Sequence, residues 1–357
     1  MDKRVDSNLL LDMSGMLNDI GFNLDDELGV ANMAEYHYDD GAVYGFPTKY
    51  ENSRWILINE DMFKEAGLDI PYDGWTYSEF LADAEKLTHG EGQDKVYGVC
   101  WARKQSGKSI LYALDGVLGA NQIYKNEEGT EVNFDNDVYR AGLNLVKETL
   151  DKGYAIPIED EFSEDISVAN TFLQGKCAIM LGVAQMRLCM DQENYPHDFM
   201  TALVPAPVPD DEKYNTEFYR KQIGTTGAGD LLSISANTKY PEASFEFAMW
   251  YLKGGMSPLV QGGRIPLWNG VNKDEVLSVL KEKAQGSIDM DSMENYLSLD
   301  TTQGVAAIKG NASSEISSAW FEEFDAMCYG KQSVDQTVQN MEKRGNELIQ
   351  TELSSQK

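Results

Sequence analysis

Histidine, cysteine and positive charge are scarce in this chain: three His, four Cys, and 30 Lys plus Arg against 59 Asp plus Glu. Cys100, Cys177, Cys189 and Cys328 form no C-x-x-C pair, and His37, His89 and His197 give no zinc spacing, so no metal site is expected. The cysteines fit either redox compartment. A net charge of −29 would repel nucleic acid over most of the surface and leaves no basic face for anionic lipid. There is no run of eighteen apolar residues, and residues Met1 to Asp6 lack the apolar centre of a signal peptide. No cofactor is expected either: residues 224–229 are glycine-rich, but no Lys-Ser/Thr follows and a strand comes next.

What the chain does have is core material. Hydrophobic residues make up 42%, with 18 Tyr, 13 Phe and 6 Trp, and 357 residues are enough for two domains. Short apolar runs alternate with helical patterns. Strands are expected at 41–47, ended by Pro47, and at 55–58, 96–101, 178–181 and 231–234. Thr76 and Glu79 form a capping box ahead of Phe80, Ala84 and Leu87, and Ser333 and Gln336 form another. Helices follow over about 138–152 and from Pro241, where Trp250 reads as core. The alternation predicts α/β architecture with mainly parallel sheets, whose ligands bind beyond the carboxyl ends of the strands.

Several motifs occur in a familiar order. They are the stretch from Tyr44-Gly45-Phe46-Pro47 to Asn59-Glu60-Asp61-Met62-Phe63-Lys64-Glu65-Ala66-Gly67-Leu68, then Trp75-Thr76-Tyr77, Tyr97-Gly98-Val99, Phe172-Leu173-Gln174-Gly175-Lys176-Cys177-Ala178, Ser235-Ala236-Asn237-Thr238, and Tyr329-Gly330-Lys331. Together they resemble the extracellular solute-binding protein family 1 that includes maltose-binding protein, over nearly the whole chain. The resemblance implies a type II periplasmic-binding-protein fold, with two α/β lobes joined by crossing strands, the ligand in the cleft, and hinge closure around it. Lobe 1 would comprise 1–50 and 230–308, and lobe 2 would comprise 51–229 and 309–357, with crossings near 50–53, 227–231 and 309–314. Leu9-Leu10-Leu11-Asp12-Met13 resembles a step that relatives reach only after their first βα units, so lobe 1 is expected to lack its N-terminal units here.

The same resemblance supplies candidate ligand-binding residues. Asn52, or Glu51 given one extra residue in the preceding loop, sits where relatives place a polar ligand contact, with Tyr50 and Arg54 beside it; the other reading is a solvated loop. Trp101 ends a strand at its carboxyl edge, as a ligand contact or as a core tryptophan, and Arg103 follows. Ala184 replaces a stacking Trp of relatives, leaving Gln185 and Arg187 as candidates. Arg264 and Trp268 lie in a loop resembling the G-x-x-P loop, Trp320 lies on the helix after the third crossing, and Gly227 reads as hinge backbone.

The function implied is that of a non-enzymatic, monomeric binding protein of an ABC importer. It would carry an oligosaccharide to membrane permease subunits and would be extracellular or periplasmic, lipid-anchored when full-length. Two alternatives stay open: the same fold with a peptide, polyamine or anion, or a glycoside hydrolase, although nothing singles out a carboxylate pair.

Overall fold

The computed structural model describes residues 2–33, 36–38, 41–52, 54–106, 109–114, 116–118, 123–163, 167, 170–221, 228–255, 257–298 and 310–355. Two sheets lie among them. In the smaller, β1 (Phe46–Tyr50) is flanked by β6 (Gly229–Leu232) and β7 (Ile265–Pro266). In the larger, the order is β3 (Tyr97–Cys100), β4 (Cys177–Met180), β2 (Trp55–Asn59) and β5 (Thr201–Pro205). Two apolar cores lie about the sheets, with Ile265 of β7 reaching from the smaller sheet into the larger core. Met13, Leu17, Phe46, Ile234, Phe245 and Met249 belong to the first, and a much larger set around Ile56, Phe80, Val99, Ile179 and Leu203 to the second. This is the expected two-lobed α/β architecture.

Strand direction differs in one respect from the mainly parallel sheets expected. β3 and β4 pair in parallel, but every ladder to β1 or β2 is antiparallel. The reason is topological. β1 and β2 are the two arms of the first crossing, so each runs against its neighbours. One consequence matters for ligand binding: β3, β4 and β5 all run against β2 or alongside such a strand, and Trp55 at the start of β2 pairs with Pro205 at the end of β5. Three carboxyl ends therefore gather beside the crossing.

Local sequence rules hold at the helix starts. Thr76 Oγ1 accepts the Glu79 N–H and the Glu79 carboxylate accepts the Thr76 N–H, opening the helix Tyr77–Leu87. Ser333 and Gln336 make the same reciprocal pair. Asn136 caps Asp137–Asp151, whose buried face includes Tyr139, Leu143 and Val146. Several expectations shift. Pro47 lies inside β1 rather than ending it, and the strand continues through Thr48, whose carbonyl accepts the Leu267 N–H at 3.0 Å. β6 is exposed at Asp230 and Leu231 because it is the outer strand of its sheet. Trp250 is 59% exposed rather than core, as is Phe247 at 58%, because Phe245, Ala248 and Met249 fill the buried face of Pro241–Trp250.

Residues 273–297, assigned from sequence to lobe 1, pack in the larger core instead. The N–H of Thr201 donates to the Ser287 carbonyl and that of Asp289 to the Thr201 carbonyl, both at 2.9 Å, while Leu203 N–H donates to Ser292 Oγ at 3.0 Å. These bonds place the helices Lys273–Ala284 and Met290–Leu297 along the free edge of β5, with Val276, Leu280, Met293 and Tyr296 buried.

Helix and sheet meet closely at Gly98 on β3, where an added Cβ would stand 2.3 Å from the Ala84 carbonyl oxygen and 2.8 Å from its carbon. Both are backbone atoms within a helix and neither can step aside alone. Gly98→Ala should lower the unfolding free energy by about 1–3 kcal/mol, read as a lower urea midpoint at unchanged slope.

Candidate functional site

The first crossing runs from Tyr50 to Trp55 and rests on one phenol. Tyr296 is buried and accepts the Asn52 N–H on its Oη at 2.8 Å, while the Tyr50 hydroxyl donates to the Tyr296 carbonyl at 3.2 Å. The Tyr296 ring stands edge-on to Tyr50 and to Trp55, with centroids 5.1 and 5.4 Å apart. Burial raises the Tyr296 phenol pKa well above its ordinary value, so it stays neutral. Asn52 Oδ1 accepts the Arg54 N–H at 3.0 Å and the Asn52 carbonyl accepts the Trp55 N–H at 3.1 Å. Asn52 and Arg54 are 1% and 3% exposed. In this structure they shape the buried turn, whereas Glu51 and Tyr50 remain half-buried beside it.

Beside the crossing lies a run of charges. Lys49 pairs with Glu51 and lies 3.7 Å from an Asp230 oxygen, and the other Asp230 oxygen pairs with Arg264. Asp230 has a left-handed backbone (φ 52°), uncommon for a residue with a side chain, and its carbonyl accepts the Thr48 hydroxyl at 2.8 Å. The backbone of Arg187 comes up beside Arg264 from the larger sheet. It lies on the one-turn helix Met186–Cys189 just after β4, and Gly263, at the entry to β7, packs on its backbone. A Cβ at Gly263 would lie 3.0 Å from Arg187 Cβ and 3.2 Å from Cα, and Gly263 has φ 76°, so glycine is required twice over. The structure thus brings Glu51, Arg187 and Arg264 to one seam between the lobes, with half-buried Gln185 on the turn before Arg187.

Other candidates lie elsewhere. Trp101 is 2% exposed, its indole N–H donates to Thr149 Oγ1 at 3.0 Å, and its ring packs on Phe80, which is the arrangement of a core tryptophan. Trp320 is also core, stacked on Phe324 with centroids 4.9 Å apart at 15°. Arg103 makes a bidentate pair with Asp325 at 2.9 and 3.1 Å and lies over the Phe321 ring at 3.9 Å, so its guanidinium ties the turn after β3 to the helix Ser313–Cys328. Trp268 donates to Glu27 Oε2 at 2.7 Å and lines, with Tyr50, Leu28 and Val276, a cavity of about 70 Å³. Gly227 lies outside the described residues.

Three residues that matter here were not singled out from sequence. Lys49 and Asp230 had no signal beyond adjoining Tyr50 and a glycine-rich stretch, and Tyr296 none at all. A fourth is Glu161, fully buried beneath the turn after β3. Its Oε2 accepts the Lys104 N–H at 3.3 Å, and Cys100 Sγ lies 3.8 Å from Oε1. Burial raises its pKa from 4.5 to about 7, partly opposed by backbone N–H bonds from Lys104, Arg103 and Ala102. Among the described residues no cluster of His, Cys, Asp and Glu could hold a metal.

Two outcomes follow from these contacts. Tyr296→Phe strands the buried Asn52 N–H and should cost about 1–3 kcal/mol of stability, with faster hydrogen exchange at Asn52. Glu161 has a folded pKa above its unfolded one, so its contribution is fully present below pH 4.5 and is lost as pH rises through about 7. Relative to Glu161→Gln, the native chain should therefore lose roughly 3 kcal/mol across that window, read from denaturant midpoints at each pH.

The comparisons with known proteins agree with this architecture. A substrate-binding protein of an ABC system from Listeria monocytogenes, solved with cycloalternan, superposes with TM-score 0.73 at 18% identity, covering 97% of this chain and 81% of that one. A sugar transporter from Rhizobium etli in an open conformation gives 0.69 at 17%, covering 96% and 81%. A solute-binding protein from Agrobacterium vitis with bound D-mannitol gives 0.64 at 19%, covering 99% and 82%. At these identities the likeness shows the fold. No helix among the described residues is long and apolar enough to cross a membrane. The profile of the family described as bacterial extracellular solute-binding protein matches residues 1–253, and the chain belongs to that family.

Proposed function

We propose that this protein captures a carbohydrate in the cleft between its lobes and delivers it to the permease subunits of an ABC importer, without chemical conversion. The observation that carries this reading is the seam itself. Glu51, Asp230 and Arg264 form a run of charges where the crossing joins the sheets, and the backbone of Arg187, on the helix after β4, packs against Gly263 next to Arg264. A group bound there touches both lobes at once, and a ligand that favours the closed arrangement shifts the population toward it. Similar proteins were solved with cycloalternan and with mannitol, both hydroxyl-rich solutes. A hydrolase reading gains no support, because Glu51 and Asp230 are both engaged by Lys49.

A panel of oligosaccharides and polyols, followed by thermal unfolding and intrinsic tryptophan fluorescence, tests this. At least one should stabilise the fold by about 2.7 kcal/mol at a hundredfold excess over its Kd. If none does, while a peptide or amine panel does, the carbohydrate reading fails.

A further inference from the structure

We infer that the solute is acidic: a saccharide carrying a carboxylate, of the uronic-acid type, held by Arg187 across the seam. This rests on the carbohydrate reading of the same cleft and narrows it. The first observation is the character of the described side chains at the seam. A neutral sugar is gripped by aromatic planes against its C–H faces, together with planar hydrogen-bonding groups at its edges. Here Trp101 and Trp320 are buried in the larger core, and the Trp268 indole is bonded to Glu27. The polar groups that remain at the seam are largely charged.

The second observation is the balance of those charges. Glu51 is paired with Lys49, and Asp230 with Arg264 and, more distantly, with Lys49. Both carboxylates are thus already answered by a cation. Arg187 is exposed, and among the described residues nothing forms a hydrogen bond or ion pair with it. Two cations thus answer two carboxylates, and Arg187, whose backbone packs beside Arg264's neighbour Gly263, adds a third cation with no described partner in a chain whose net charge is −29. An excess cation in so acidic a protein stands out from its surroundings.

The third observation is position. Arg187 is not on a loose tail. Its backbone is pressed against Gly263 at 3.0–3.2 Å from where a Cβ would be, while its neighbours Met186 and Cys189 are buried. The backbone is fixed and the guanidinium is free. Its planar donor fork suits a carboxylate bidentately, and exclusion of water on closure strengthens the pair. The same group offers a neutral sugar much less, because hydroxyls do not repay its desolvation.

Calorimetric titration with trigalacturonate and with the same trisaccharide reduced to neutral trigalactose tests this directly. The acidic sugar should bind at least tenfold more tightly, and the margin should shrink with added salt. Arg187→Gln should weaken trigalacturonate tenfold to a hundredfold and trigalactose at least tenfold less than that, and Arg187→Lys should restore part of the loss. Circular dichroism checks that the variants fold. Equal or tighter binding of the neutral sugar, or an equal loss of both on Arg187→Gln, overturns the inference and leaves the carbohydrate reading standing. Binding of peptides or amines with neither sugar bound overturns both.

Discussion

The arrangement of this molecule depends on the phenol of Tyr296. A strand that leaves one sheet and enters another must pass through a short segment that belongs to neither ladder, and its backbone groups need partners all the same. Here the Asn52 N–H finds the Tyr296 oxygen, Asn52 supplies an acceptor for Arg54, and two aromatic rings close on the same phenol from either side. With that segment fixed, the register of β1 against β6 and β7 and that of β2 against β4 and β5 are linked. A one-residue slip in either would turn its side chains to the opposite face.

Tyr296 comes from a part of the chain that local patterns place elsewhere. Helix starts, the buried strand β2 and the capping boxes could be read from sequence, because each depends on residues within a few positions of one another. The placement of residues 273–297 could not, since it is decided by bonds from Ser287, Asp289 and Ser292 to a strand some ninety positions earlier. Tryptophan burial was read poorly for the same reason. Trp250 and Trp101 both sit in apolar surroundings in sequence, but one faces outward and the other is enclosed by Phe80 and Thr149.

The candidate site was half legible. Glu51, Arg187 and Arg264 were chosen by likeness to a family and do come together. Asn52, Arg54, Trp101, Arg103 and Trp320 were chosen on the same grounds and serve turns, cores and an interhelical clamp. What separates the two groups is partner availability. A polar residue next to a crossing can either build the turn or face the cleft, and which it does is settled by what reaches it from the other side of the molecule. Asp230 escaped notice because a left-handed aspartate leaves no mark in sequence.

All four cysteines are unpaired thiols, and Cys100, Cys177 and Cys189 are buried. Burial pushes the Cys189 thiol up to about 12, so it stays protonated and unreactive. No covalent cross-link holds either lobe, and the native state owes nothing to an oxidant. The packing described above thus stands without a disulfide, and its formation calls for no disulfide catalyst.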